Sequence, residues 1–420
     1  MDIVWLKTEL LHPVDKGGKI RSYNMLKELK RSCHITYLTL DDGTADANAR
    51  DLATEYCHEL ICIPHRRREK FTAGFYFELM VNLTSPLPYA IKKYESQAMR
   101  REIMTRVADR RFDVLVCDFL APAVNVPFGL NCASVLFQHN VEAMIWKRHY
   151  EVQTNAAKKA YLFRQWQKMR AFEAKMCPRF DSVIAVSRGD REMMQQEYGV
   201  ESVYDVPTGV DVAFFLPTGR RKRQPYNLVF TGSMDWLPNE DAIRYFTEQI
   251  MPRIKQGIPG VTLTVVGRDP YPTLVELSKR DPSIIVTGRV DDVRPFIEEA
   301  AVYIVPMRIG GGTRLKIYEA MAMEKPIVST SIGAEGLPVV TGQDILLADT
   351  PESFAEAVIK LLREESFAAE MGQRAAAKVR EKFGWDSVAE SFAAICERAR
   401  SFNPRIAQRN TDQTGRTYCQ

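Results

Sequence analysis

Nowhere does the chain approach the roughly 18 consecutive apolar residues that a membrane-crossing helix needs. The N-terminus, MDIVWLKTEL, has an acid at Asp2 and no basic stretch leading into a long apolar run. It reads as a first buried strand, not a signal peptide. Paired cysteines are missing too. Cys33, Cys57, Cys62, Cys117, Cys132, Cys177, Cys396 and Cys419 are scattered, with no CxxC among them. Neither a zinc site nor a disulfide framework is indicated, and a reduced cytoplasmic compartment is expected. The net charge is only +4 over 420 residues, too small a bias to point to nucleic acid as a partner. No GxGxxG follows the first strand, where HPVDKGG stands instead, which argues against a dehydrogenase. No acidic pair of the DxD type stands at a suitable place, so no bound metal is expected.

What is present is ordinary in amount and regular in arrangement. Apolar residues make up 45% and charged residues 26%, as in a folded domain with a sizeable core. Short β-branched runs recur with helical stretches between them. In the first half strands are expected at 3–6, 34–39, 113–117, 134–138, 181–186 and 202–206. In the second half they are expected at 228–231, 262–266, 284–287, 302–305, 326–329 and 345–347. These runs are apolar throughout, as strands covered on both faces should be. Helices are expected at 241–255, 313–323, 352–362 and 386–400. Alternation of this kind means an α/β protein with doubly wound parallel sheets, here occurring twice. The polar, basic stretch LPTGRRKRQP suits a seam near 211–224. The expected layout is a Rossmann-like domain over 1–210, a second over 211–384, a helix over 385–402 packing back on the first, and a frayed tail over 403–420. Two such sheets facing a cleft would turn the C-terminal ends of their strands towards it, where ligands of open α/β sheets bind.

The densest chemical signal is VPMRIGGGTRLKIYEAMAM, residues 305–323. A strand ends, three glycines follow at Gly310, Gly311 and Gly312, and a helix is expected from Thr313. A helix start leaves N–H groups unpaired and partially positive, a natural phosphate site. Arg314 and Lys316 stand in that first turn, where cations oppose the helix dipole unless an anion binds. Glu319, three residues beyond Lys316, is placed to accept hydrogen bonds from a ribose diol. The plainer alternative is a solvated basic face with Glu319 merely paired to Lys316.

This segment resembles the donor-site signature of retaining glycosyltransferase family 4, which has the GT-B fold. Further stretches resemble the family in the expected order: QHNVEAMIWKR at 138–148, VPTGVDVAFFLP at 206–217, LVFTGSMDWLPNEDAIRYF at 228–246, VVGRDP at 265–270, VTGRVDDVRPFIEEAAVYIVP at 286–306 and KPIVSTSIGAEGL at 325–337. The resemblance implies a UDP- or GDP-sugar donor, retention of anomeric configuration, and a glycan or lipid-linked acceptor. It also implies that His139 is the family's active-site histidine and that the backbone near Val290 meets the base. The match has gaps. Many members carry two glutamates eight positions apart; Glu319 matches the second, and Gly311 stands where the first would be. Many carry an arginine and a lysine in the first donor-domain loop, where this chain has Ser233 and Asn239. Arg314 and Lys316 would then supply the charge that this loop lacks.

Gly17 and Gly18, in HPVDKGGKIR, would put a second helix start near the diphosphate and the acceptor. A tight turn carrying only surface charges competes with that reading. His139 follows the apolar run SVLFQ, at a strand's C-terminal end. A neutral imidazole there can donate to a sugar hydroxyl or polarise a leaving phosphate. Residues 60–179 hold twenty Lys/Arg against ten Asp/Glu. With aromatics interleaved in RRREKFTAGFYF, this region is expected to meet an anionic membrane surface, placing the protein peripherally on the inner face of a membrane. A solvated basic face over an ordinary core is the alternative. The expected activity is sugar transfer. A sugar-nucleotide 2-epimerase of the same fold and a nucleotide-sugar-binding protein without turnover stand beside it.

Overall fold

A computed structural model of the chain describes residues 1–15, 17–69, 71–108, 112–309 and 315–402. The chain divides into two compact units: Met1–Pro207 with the chain from Val388, and Thr208–Ser387.

Among the described residues the first unit holds seven strands: β1 (Asp2–Lys7), β2 (His34–Asp41), β3 (Glu59–Pro64), β4 (Val114–Asp118), β5 (Ala133–Phe137), β6 (Ser182–Ala185) and β7 (Val203–Asp205). They form one sheet in the order β3-β2-β1-β4-β5-β6-β7. Every pairing is parallel, with Trp5 of β1 lying between Tyr37 and Val116. The second unit repeats the scheme with β8 (Asn227–Thr231), β9 (Thr262–Val266), β10 (Ile284–Val286), β11 (Val302–Val305), β12 (Ile327–Ser329) and β13 (Leu346–Leu347). Their order, β10-β9-β8-β11-β12-β13, is again parallel throughout. Each sheet reverses its winding once, between β1 and β4 and between β8 and β11. Each unit has its own apolar core. In the first, Phe392 of the helix Trp385–Phe402 packs on Trp5 and Phe137 at 5.5 and 5.1 Å between ring centres.

The strands fall within one or two residues of the expected runs, except β3. That strand lies at the sheet edge and is mostly half-buried, so it lacks the continuous apolar run of a strand covered on both faces. The helix expected at 241–255 starts earlier, at Leu237, because Pro238 suits a first helical turn, where its missing N–H costs nothing. It then runs through a π-helical turn at Phe246–Ile250 into Met251–Gly257. The helix that follows β1 starts at Gly17. Residues 208–210, expected with the first domain, fall with the second unit. Val210 bridges Gly384, and a Cβ on Gly209 would lie 2.5 Å from the Trp385 ring.

Candidate active site

Functional side chains gather after the switch-point strands, one set in each unit. In the first unit, Lys7 ends β1 and Asp118 ends β4, so the sheet order alone brings them together. Asp118 is fully buried and accepts four hydrogen bonds. Its Oδ2 receives Trp5 Nε1 at 2.9 Å, Lys7 Nζ at 2.8 Å and Ser22 Oγ at 2.6 Å. Its Oδ1 lies 2.7 Å from His139 Nε2. Burial alone would raise the Asp118 carboxyl, but the charge of Lys7 and the bonds from His139 and Lys7 hold it below its ordinary value. The imidazole is pushed down to about 3, chiefly by burial, against the upward pull of Asp118. His139 is therefore neutral at pH 7, with Nε2–H donating to Asp118. Its Nδ1 lone pair is buried and has no hydrogen-bond partner among the described residues.

Phe119 completes this set. Its ring stacks on His139 at 3.8 Å and takes the Lys7 ammonium 4.2 Å above its centre. It does so from a left-handed backbone, φ 75°, a conformation that costs a non-glycine residue about 1–3 kcal/mol. Gly18 is the other half of the arrangement: a Cβ there would lie 2.7 Å from Phe119 Cζ. The first-turn glycine thus lets the helix Gly17–Leu29 close on the ring that holds His139. Ser22, one turn on, ties that helix to Asp118 and back to the Gly18 carbonyl at 2.9 Å.

The loop bearing His139 is held from behind. The helix Glu142–Val152 starts after Val141, which has no side-chain group to cap it. Glu173, buried on the helix Ala156–Met176, takes over that role. It accepts from Glu142 N at 2.9 Å, Ala143 N at 3.0 Å, Gln138 Nε2 at 2.9 Å and Tyr198 Oη at 2.8 Å. Burial, opposed by the four donors, leaves its carboxyl pushed up to about 7.

In the second unit, Gly232 follows β8, Gly267 follows β9, and the segment from Pro306 follows β11. A Cβ on Gly267 would fall 1.8 Å from the Gly232 carbonyl oxygen, so these strand ends close up only because residue 267 is glycine. Lys316, on the helix Leu315–Ala322, reaches inward. Its Nζ donates to Asn239 Oδ1 at 2.9 Å and lies 4.0 Å over the Phe230 ring. A Cβ on Gly232 would meet that ammonium at 3.0 Å and Asn239 Nδ2 at 2.7 Å. Asn239 Nδ2 donates to the Ser233 carbonyl at 2.8 Å. The Lys316 ammonium thus lies at the side chain of Asn239, in the first turn of the helix that begins at Leu237. Glu319 is partly exposed, and its carboxyl makes no hydrogen bond among the described residues. Burial, opposed by the charge of Lys316, leaves it pushed up to about 7. Arg308 anchors the strand exit by donating to both oxygens of Asp241, at 3.1 and 2.7 Å.

Several site residues expected from the sequence are therefore brought together: Gly18 with His139 through Phe119, and Ser233 with Lys316 through Asn239. Gly17 opens its helix, and Val290 packs half-buried on the second core. Gly310, Gly311, Gly312, Thr313 and Arg314 lie outside the described residues. Sequence reasoning missed Lys7, Asp118 and Glu173; the only local signal was the position of Lys7 and Asp118 at strand ends. It also missed a cavity of about 1280 Å³ in the first unit, bordered by Glu9, His12, Lys19, Arg66, Phe75 and Tyr89.

The chain matches the family model described as Glycosyltransferase Family 4 over residues 16–214, and the model described as Glycosyl transferases group 1 over residues 225–364. Between them these span most of the chain, which belongs to the family 4 type of glycosyltransferases and has their GT-B fold. Among its relatives is an uncharacterized 44.6 kDa protein in the cps region of Klebsiella pneumoniae, 19% identical over 93% of this chain and 98% of that one. Solved structures of similar fold include sucrose-phosphate synthase from Thermosynechococcus elongatus, with a TM-score of 0.66 and 14% identity over 96% of this chain and all of that one. Another is Anabaena HepE in complex with UDP, with a TM-score of 0.66 and 13% identity over 94% and 99% of the two chains.

Proposed function

We propose that this glycosyltransferase takes a sugar from a nucleoside diphosphate sugar and passes it, with retention of anomeric configuration, to a glycan or lipid-linked acceptor. The observation that carries the reading is the Lys316 ammonium, held at the end of β8 against Gly232, with the Glu319 carboxyl one helical turn away. The complex of Anabaena HepE with UDP supports a uridine nucleotide as the first donor to try.

In this reading Lys316 and Arg314, with the start of their helix, stabilise the charge that develops on the leaving diphosphate. A preorganised donor of this kind is worth about 2.7–4 kcal/mol of barrier. Glu319 accepts from the ribose hydroxyls, the backbones of Ser233, Gly311, Gly312 and Thr313 approach the phosphates, and the Val290 segment meets the base. Gly17 and Gly18 let the first unit's helix start take an anionic or hydroxyl group of a substrate. His139 offers Nδ1 to a hydroxyl of the donor sugar, in a tautomer set by Asp118. An unpaired buried acceptor costs about 1–3 kcal/mol, and a substrate hydroxyl would satisfy it. With fixed cations on the leaving group, the step needs no metal and should persist in EDTA. The 1280 Å³ cavity of the first unit is the place for the acceptor.

The test is incubation with UDP- and GDP-sugars, alone and with saccharide or lipid-linked acceptors, followed by NMR of the new glycosidic linkage. Release of nucleoside diphosphate that depends on acceptor, with the donor's anomeric configuration kept, is expected. Conversion of donor without acceptor would favour epimerisation, and tight donor binding with no turnover would leave only a binding protein.

A further inference from the structure

The exposed apolar surface of the first unit is concentrated on one short helix, Ala73–Asn82. Tyr76, Phe77, Met80 and Val81 on that helix are 53, 66, 68 and 54% exposed, and Phe71 just before it is 79% exposed. With Leu83, these are six of the eighteen large apolar side chains exposed among the described residues, packed into thirteen residues. Scattered single exposures need no explanation, but a cluster of this size marks an interaction surface.

The helix is well held, so the exposure is not that of a loose strap. Thr72 caps its start, accepting from Phe75 N at 3.2 Å. Lys168 Nζ donates to the Asn82 carbonyl at 2.6 Å, and Gln165 Nε2 donates to Asn82 Oδ1 at 3.0 Å, both from the helix Ala156–Met176. Tyr89 Oη donates to Glu78 Oε2 at 3.1 Å, and the Tyr89 and Phe75 rings meet edge to face at 5.7 Å. These polar clamps lie on one side and the apolar side chains on the other.

Cations border the apolar face. Arg66 and Arg68 precede the helix, Arg68 pairing with Glu78 at 3.2 Å, and Arg164 donates to the Leu83 carbonyl at its far end at 3.3 Å. The region from 60 to 179 carries twenty Lys/Arg against ten Asp/Glu while the whole chain is only +4, so the rest of the chain is net negative. An apolar patch edged by cations on an otherwise acidic molecule complements an anionic lipid surface. Ten residues are too few to span a bilayer, but they suit a helix lying in the headgroup region, where tyrosine and phenylalanine rings are at home. A second copy is a poorer occupant, because a two-fold contact through this face would set the cationic margins against each other.

We propose that the Ala73–Asn82 helix is a docking surface for an anionic phospholipid bilayer, with Phe77 and Met80 entering the interface and Arg66, Arg68 and Arg164 meeting the headgroups. Docking does not depend on the transfer reading. One consequence does rest on it: Phe75, Phe77, Glu78, Val81 and Asn82 of the same helix line the 1280 Å³ cavity, so the cavity reaches the edge of the apolar face and docking would hold it at the lipid surface.

The experiment is flotation of the full chain with vesicles of phosphatidylcholine, with and without phosphatidylglycerol, at low and high salt. Flotation with the phosphatidylglycerol vesicles at low salt is expected, weakening as salt screens the headgroups. The double variant Phe77→Ser/Met80→Ser should lower the bound fraction by about tenfold or more, with an unchanged melting temperature. If that pair does not fold, Phe77→Ala/Met80→Ala replaces it. Ile285→Ser, at an exposed apolar position of the second unit, should float like the wild type. The proposal is overturned if the wild type stays off anionic vesicles, if the double variant floats equally well, or if the same substitutions convert a dimer to a monomer in size exclusion. Donor binding is measured in parallel, so a failed transfer reading and a failed docking reading give different results.

Discussion

Glu319 and Lys316 lie one turn apart on the same helix, and their electrostatics are coupled. Burial, opposed by the charge of Lys316, leaves the carboxyl pushed up to about 7, so near neutral pH it is only partly ionised. A ribose diol donates hydrogen bonds and binds the ionised form better. Donor KM should therefore fall as pH rises through about 7, and Glu319→Gln should raise KM and flatten that dependence. Steady-state kinetics of both forms across the range check this. An effect confined to the acceptor would contradict the ribose role. Lys316→Ala and Arg314→Ala should each lower turnover by roughly 10–1,000-fold with folding intact. For Lys316 the prediction follows from its ammonium being fixed beside Gly232. Unchanged kinetics in both variants would exclude the phosphate site.

At the scale of elements, the helix Glu142–Val152 depends on Glu173 of another helix for the cap its own Val141 does not supply. Glu173→Gln leaves fewer lone pairs for four donors and should cost about 1–3 kcal/mol. The sign of the pH effect follows from burial. Glu173 and its neighbour Glu142 are both pushed up to about 7 from an ordinary 4.5, so the folded state holds protons that the unfolded state has lost. Stability should fall as pH rises between about 4.5 and 7, and more shallowly in Glu173→Gln. Urea unfolding at several pH values measures both quantities. The loop that Glu173 holds carries His139, so kcat should fall more than donor KM rises. A purely structural effect would lower the amount of active enzyme and leave the pH profile of the remainder unchanged.

At the scale of the whole molecule, two separate apolar cores support two sheets of the same winding. A ligand stabilises the part it binds, by about 2.7 kcal/mol at a concentration a hundred times its Kd. UDP should therefore slow hydrogen exchange in the second unit around 227–233 and 315–319 before it affects the core of the first. Equal protection of both cores would place the nucleotide elsewhere. The doubly wound fold was legible in the sequence, because a strand buried on both faces announces itself locally as a short apolar run between helical stretches. β3 escaped because an edge strand is covered on fewer sides and needs no such run. The helix carrying Lys316 and Glu319 was legible because both stand in one short run of sequence. What only the tertiary structure decided are the meetings across long sequence separation. Lys7 reaches Asp118 across 111 positions, Lys316 ends at Asn239 across 77, and Glu173 caps a helix that begins 31 residues earlier. Spacing along a chain reports which face of a strand or helix a residue occupies. Which distant faces come together is set by the order in which strands pair, and that order is decided only when the whole core is packed.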